Sequence, residues 1–206
     1  MIAIIDYDAG NVKSVEKAFR KLGREAVITG DPQVILSADH VVLPGVGNFG
    51  DAAEKLRSLK MDDVIRNVIA ARIPFLGICV GMQLLFEESE ESPGIKGLGI
   101  LKGRCRKFPD KPGFKVPQIG WNAVHMMNGG DIFKDIPSGT FFYFVHSYYV
   151  EAERMDQVTA VCEYSRIFHA SVQSGKLYAT QFHPEKSGEY GLRVLRNFVK
   201  IKREDD

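Results

Sequence analysis

The sequence predicts an α/β fold: a mostly parallel central sheet with helices on both faces, extended by antiparallel strands in its second half. Two observations carry this reading. Through the first half, short apolar strands alternate with stretches of helical periodicity, the pattern of parallel strands joined by helical crossovers. From about residue 99 to 182 that periodicity gives way to strands separated by turns.

Taken in order, residues 1–6 read as a first strand. Val12, Val15, Phe19 and Leu22 then repeat at helical spacing, with Gly23 where a C-terminal cap belongs. Residues 26–29 and 40–43 are further strands, followed by a helical stretch over 51–72. Residues 74–78 form a fourth strand, and another helix opens over 82–88. In the second half, the aromatic run 141–150 and the pair 158–164 and 167–173 read as strands. A final helix over 190–201 carries Leu192, Leu195, Phe198 and Val199 on one side. No internal repeat, low-complexity segment or linker divides the chain. Residues 1–206 therefore read as one domain, long enough to bury a substantial core.

Composition narrows the function classes. The chain is 45% hydrophobic and 26% charged, as ordinary globular proteins are. Its 27 basic and 26 acidic residues leave no polycationic footprint for nucleic acid. No apolar run approaches the ~20 residues of a membrane span, and the N-terminus lacks the basic start and cleavage site of a signal peptide. Cys79, Cys105 and Cys162 are odd in number and widely spaced. They suit neither a disulfide framework nor a Cys-x-x-Cys metal site, and they fit a reducing, cytoplasmic location. Nothing in the chain requires a metal or an organic cofactor.

Cys79 is the most informative residue. It stands in Gly77-Ile78-Cys79-Val80-Gly81, directly after an apolar strand and before a helix. Small residues two positions to either side permit the sharp strand-to-helix turn of a nucleophile elbow, and a helix N-terminus behind the sulfur favours thiolate. The alternative is a buried structural cysteine. A thiol nucleophile needs a base. His183 lies in Gln181-Phe182-His183-Pro184-Glu185 at the end of an apolar strand, where α/β sheets present catalytic groups. Glu185 can orient the imidazole and stabilise its charged form. By itself His-Pro-Glu is equally compatible with a turn. Among the other histidines, His40 starts a strand, His125 and His169 read as surface or strand-edge residues, and His146 interrupts an apolar strand.

Gly45, Gly47 and Gly50 satisfy G-x-G-x-x-G between a strand and a helix, which admits a dinucleotide reading. Against it, the motif follows a later strand, Pro44 breaks the opening turn, and the next strand ends at Ile78-Cys79 without the expected acidic residue. The better account is a glycine loop whose backbone N–H groups face Cys79 and complete an oxyanion hole.

Gly77-Ile78-Cys79-Val80-Gly81-Met82-Gln83 with His183-Pro184-Glu185 resembles the triad motifs of class I glutamine amidotransferases, a family of flavodoxin-like fold. Five further segments resemble one branch of it and run in order along essentially the whole chain: Asp6-Tyr7 through Gly10-Asn11, Pro44-Gly45-Val46-Gly47, Pro117-Gln118-Ile119-Gly120-Trp121-Asn122, Phe144-Val145-His146-Ser147-Tyr148 and His183-Pro184-Glu185-Lys186-Ser187. Asp8 departs from the family's usual glycine.

The resemblance implies a glutaminase that forms a heterodimer with a (β/α)8-barrel cyclase subunit in histidine biosynthesis and passes ammonia to it along a shielded path. Cys79 would attack the glutamine amide and His183 would protonate the departing ammonia. The N–H of Val80, with one from Val46–Gly47, would hold the oxyanion. Gln83, Glu91 and the backbone at Ser147 and Tyr148 would grip the amino-acid end. Trp121, Lys186 and Asn11 would meet the cyclase. Other readings stay open for several of these. Gln83 and Glu91 suit a solvated helix face, Trp121 a core position and Lys186 a plain surface. A stand-alone cysteine hydrolase of γ-glutamyl amides, or a nucleotide- or protein-binding module, are the competing functions.

Overall fold

The computed structural model describes residues 1–8, 11–127 and 130–203; Gly10 lies outside them. The first half runs β1 (Ile2–Ile5), α1 (Val12–Lys21), β2 (Ala26–Thr29), α2 (Pro32–Leu36), β3 (His40–Gly45), α3 (Phe49–Ser58), α4 (Met61–Ala70), β4 (Phe75–Cys79) and α5 (Val80–Gln83). The second runs β5 (Glu88–Ser89), β6 (Gly103–Lys107), β7 (Gln118–Met126), β8 (Thr140–His146), β9 (Tyr148–Ala152), β10 (Val158–Glu163), β11 (Ile167–Ser174) and β12 (Leu177–Thr180), then α6 (Gly188–Phe198). All the strands join one 12-stranded sheet, ordered β2-β1-β3-β4-β12-β11-β10-β7-β8, with β5, β6 and β9 branching from it at β11.

Burial explains where the sheet is parallel. β1, β3, β4 and β12 are buried at every position, as strands covered on both faces must be, and together with β2 they pair in parallel. β8 instead alternates buried and open positions, and it joins β7, β10 and β11 in antiparallel pairs. Strand order reverses after β2, so right-handed crossovers send α1 to one face and the next helices to the other. Accordingly α2, α3 and α4 pack together, while α1 meets the 3-10 turn Pro184–Lys186 that leads into α6.

The helix expected over 51–72 is two helices. Apolar residues Phe49, Ala52, Ala53 and Leu56 keep one phase, but the next set is Met61, Val64, Ile65 and Val68, slipped by one position. Lys60 absorbs the slip in a left-handed conformation at φ 55°. The helix expected over 82–88 is also shorter, ending at Gln83. Leu84, Leu85 and Phe86 are wholly buried and so lack a polar face. Their carbonyls accept from Leu98, Ile100, Leu101 and Gly99 rather than continuing a helix. The aromatic run 141–150 breaks at Ser147 into β8 and β9, which pair with different strands. Gly23 caps α1 as expected: it sits at φ 69°, and the Arg24 N–H reaches back to the Phe19 carbonyl.

The tightest backbone contact joins α5 to β3. A Cβ on Gly81 would lie 1.9 Å from the Leu43 carbonyl oxygen, with backbone on both sides. Gly81→Ala is therefore expected to destabilise the fold by about 3 kcal/mol, at the upper end for overpacking because no flexible side chain can yield. Urea unfolding measures this; an unchanged midpoint would mean the elbow relaxes freely.

Candidate active site

Cys79 ends β4 with φ 55° and ψ −110°, a conformation that costs a non-glycine residue on the order of 1–3 kcal/mol. Its surroundings hold it there. Residue 45 pairs with it across β3, where a Cβ on Gly45 would meet the Gly81 nitrogen at 2.8 Å and the Tyr7 hydroxyl at 2.7 Å. A Cβ on Gly77 would meet the Gly81 oxygen at 2.8 Å. The elbow expected from the two flanking glycines is thus present, but α5 behind it is a single turn. The thiolate gains less from a helix dipole than a longer helix would give, and side chains must supply more.

His183 follows β12. Its Nδ1 donates to Glu185 Oε1 at 2.8 Å, and both side chains are buried. Asn11 Nδ2 donates to the same carboxylate oxygen. His183 Nε2 is buried without a hydrogen-bond partner among the described residues, and Cys79 is near enough for its charge to act on the ring. Burial works to lower the His183 pKa, yet hydrogen bonding and charge from Cys79 and Glu185 outweigh it and raise the value to about 10. The turn carrying the imidazole is pinned to β8: the His183 N–H donates to the Tyr143 carbonyl, and Ser187 Oγ donates to the His183 carbonyl while accepting the Tyr143 N–H.

Val46 and Gly47 lie across a cavity of about 360 Å3 from His183, beside Cys79 and Val80. Gly47 adopts φ 95° in open space, so conformation rather than crowding requires glycine there. Tyr7 Oη donates to the Pro44 carbonyl, and burial first, then the charge of Cys79, keeps that phenol protonated. The dinucleotide reading fails on chemistry. At the start of α3, Glu91 Oε2 accepts the Phe49 N–H and Asn48 Oδ1 accepts those of Gly50 and Asp51, so a carboxylate occupies the place of a pyrophosphate.

Gln83, Glu91, Ser147 and Tyr148 line the same cavity. Gln83 is buried rather than on a solvated face; its Nε2 donates to the Tyr148 carbonyl and to Gln181 Oε1, leaving its own carbonyl oxygen for a ligand. Burial raises the Glu91 pKa, partly offset by the Phe49 N–H. Two residues escaped the sequence reading. His146 donates from Nδ1 to the Tyr148 carbonyl, and burial lowers its pKa to about 4, so it is a neutral imidazole. Gln181 is fully buried with Nε2 3.6 Å from the Cys79 sulfur; its only sequence signal was standing two positions before His183. The remaining histidines are structural or exposed. His40 binds the Ile201 carbonyl, and half-buried His169 accepts the Ala152 N–H, so it is an interior link rather than an edge residue.

Trp121 is 50% exposed, not in the core, and meets Tyr143 edge-on at 6.2 Å. Lys186 sits over the other part of that ring at 6.0 Å and reaches the cavity wall. Asn11 lies beneath them on the triad carboxylate. Asp8 adopts φ 62°, which is where a glycine would be at ease, and pairs with Lys55 at 2.6 Å. Among the described residues no cluster of His, Cys, Asp or Glu has metal-binding geometry, and no helix is long and apolar enough to cross a membrane.

Residues 3–201 match the family model for class I glutamine amidotransferases. The chain is 48% identical to the imidazole glycerol phosphate synthase subunit HisH of Methanocaldococcus jannaschii, over 98% of this chain and all of that one. It is 49% identical to the HisH subunit of Methanothermobacter thermautotrophicus with the same coverage. Among solved structures, the PurLQS complex of Thermotoga maritima contains a chain that superposes with TM-score 0.75 at 20% identity, over 97% of each chain, a likeness of fold. A sequence this similar from end to end, with the thiol and imidazole at one cavity and a carboxylate bonded behind the imidazole, places the chain in the class I glutamine amidotransferase family, in the branch of the HisH subunits of imidazole glycerol phosphate synthase.

Proposed function

We propose that the chain is the glutaminase subunit of an imidazole glycerol phosphate synthase acting in the cytoplasm, with Cys79, His183 and Glu185 as its triad. The observation that carries this is that Cys79 and His183 line one cavity together with Val46 and Gly47, while Glu185 holds the far nitrogen of the His183 ring. The Cys79 sulfur gives its proton to His183 Nε2 and attacks the side-chain carbonyl carbon of glutamine. The N–H groups of Val80 and the Val46–Gly47 segment take up the oxyanion. His183 returns its proton to the leaving nitrogen, ammonia departs, and a thioester remains. Water, deprotonated by His183, cleaves the thioester to glutamate and frees the sulfur.

Glu91 and the free side-chain oxygen of Gln83 suit the α-ammonium of glutamine, and the Ser147–Tyr148 backbone suits its carboxylate end. Free ammonia in neutral water is captured as ammonium, so a partner must receive it directly. We assign that partner as the (β/α)8-barrel cyclase subunit, which joins ammonia to a ribulosyl-phosphate intermediate (PRFAR) and yields imidazole glycerol phosphate and AICAR. Trp121 and Lys186 lie on a face that also exposes Ile119 and Phe141, at 64% and 58%. That apolar patch is the natural seat for a partner, with Asn11 at its edge next to Glu185.

Cys79→Ser is expected to abolish glutamine-dependent synthesis by the complex while leaving ammonia-dependent synthesis intact. Glutamine hydrolysis persisting in a clean Cys79→Ser preparation rules out the assignment. His183→Ala is expected to be nearly inactive, whereas Glu185→Gln should retain about 10²-fold more turnover, because the third member of a triad exchanges no proton. Steady-state hydrolysis of both variants measures this, and the opposite order means the roles are exchanged. The free chain should also hydrolyse glutamine about 10²–10³-fold more slowly than the complex with cyclase ligand bound, the cost of one oxyanion donor turned away. Equal rates for the free chain, the complex and the liganded complex exclude a partner-controlled donor.

A further inference from the structure

We propose that Gln181 is a fourth functional residue of the thiol site: its side-chain amide donates a hydrogen bond to the Cys79 sulfur and sets the direction from which the sulfur attacks. The inference rests on the glutaminase reading above and deepens it.

The contact is built rather than incidental. Gln181 is fully buried, and its Nε2 lies 3.6 Å from the Cys79 sulfur, a hydrogen-bond distance for so large an acceptor. Which end of the amide faces the sulfur is fixed by the network behind it. Gln83 Nε2 is a donor only, and it lies 3.1 Å from Gln181 Oε1, so that end must be the oxygen. Gln83 is held in turn by the Tyr148 carbonyl at 2.9 Å, which also accepts from His146 Nδ1 at 2.8 Å. Rotating the Gln181 amide would bring two donors together on one side and set an oxygen against a thiolate on the other.

The chemistry calls for such a donor. The one-turn α5 provides little dipole, and His183 Nε2 is buried without a hydrogen-bond partner among the described residues. A second donor, which cannot itself lose or gain a proton, restricts the sulfur to one rotamer and stabilises its negative charge without competing for the proton His183 must carry. The titratable groups facing the sulfur are few. His183, with Glu185 behind it, comes from the turn after β12, Tyr7 from the end of β1, and neutral His146 from β8, acting through His183.

Gln181→Met keeps the volume and removes the donor, and Gln181→Glu keeps the acceptor for Gln83 but sets a carboxylate against the sulfur. Both are tested as the complex, with ammonia-dependent synthesis as the control for assembly. For Gln181→Met, kcat for glutamine should fall about 10- to 100-fold, the range for a hydrogen bond to a charged group, with KM changed less than threefold. The pH midpoint for alkylation of Cys79 by iodoacetamide should move up by about one unit, and further for Gln181→Glu. In the wild-type chain, the 15N side-chain amide signal of Gln181 should shift across the same pH range as alkylation. That measurement needs no variant to fold. An amide signal blind to pH, or a Gln181→Met enzyme with wild-type kcat and alkylation midpoint, overturns the inference and leaves a packing role only. Retained hydrolysis in Cys79→Ser would instead overturn the glutaminase reading, so the two failures are distinguishable.

Discussion

The site depends on how closely α5 approaches β3. The Leu43 carbonyl, Gly45 and Gly81 touch through backbone alone, and no side chain fits between them. That contact forces the chain at Cys79 into φ 55°, turns the sulfur off the sheet, and brings Val80 beside the Val46–Gly47 segment. The parallel pairing of β3 with β4 puts Gly45 opposite Cys79, so the nucleophile and the oxyanion segment share one register. A shift of either strand would separate them. The strain at Cys79 is sustained because strands buried on both faces cannot move to relieve it.

Around this backbone core, polar side chains do the electrostatic work that a long helix would otherwise share. On one side Asn11 and Glu185 orient His183 through a single carboxylate oxygen. On the other, His146, the Tyr148 carbonyl, Gln83 and Gln181 form a relay ending at the sulfur. Each member of the relay is fixed by the one behind it, which is what makes a buried polar network specific rather than costly. The neutral state of His146 matters here: a proton on Nε2 would put a buried charge next to His183.

Much of this was legible in the residues, for reasons that differ by element. Strands buried on both faces read as continuous apolar runs, so β1, β3, β4 and β12 were visible, and the motif glycines around Cys79 encode a steric demand that no other residue meets. The contact between His183 and Glu185 was legible because they are two positions apart on one turn. What escaped depends on distant partners. The early end of α5 follows from carbonyls claimed by residues 98–101, and the break at Ser147 from strands that pair with different neighbours. Lys60 carries no glycine or proline to mark the helix break. Gln181 has no local pattern beyond its place just before His183, because its partners Gln83 and Cys79 lie 98 and 102 residues away along the chain.

The same geometry separates the clamped part of the glycine segment from the open part. The Pro44–Gly47 segment holds two glycines that serve different ends. Gly45 is clamped: its Cα faces Gly81 and Val80, and Tyr7 holds the preceding carbonyl. Beyond the segment, Asn48 caps α3 and Glu91 holds the Phe49 N–H. Between these two anchors only Val46 and Gly47 have room, and nothing lies within 4 Å of where a Gly47 side chain would begin. Steric room in this stretch is thus greatest at Gly47, which sits at φ 95°. Glu91 touches both the downstream anchor and the cavity, so its carboxylate links the cavity wall to the start of α3.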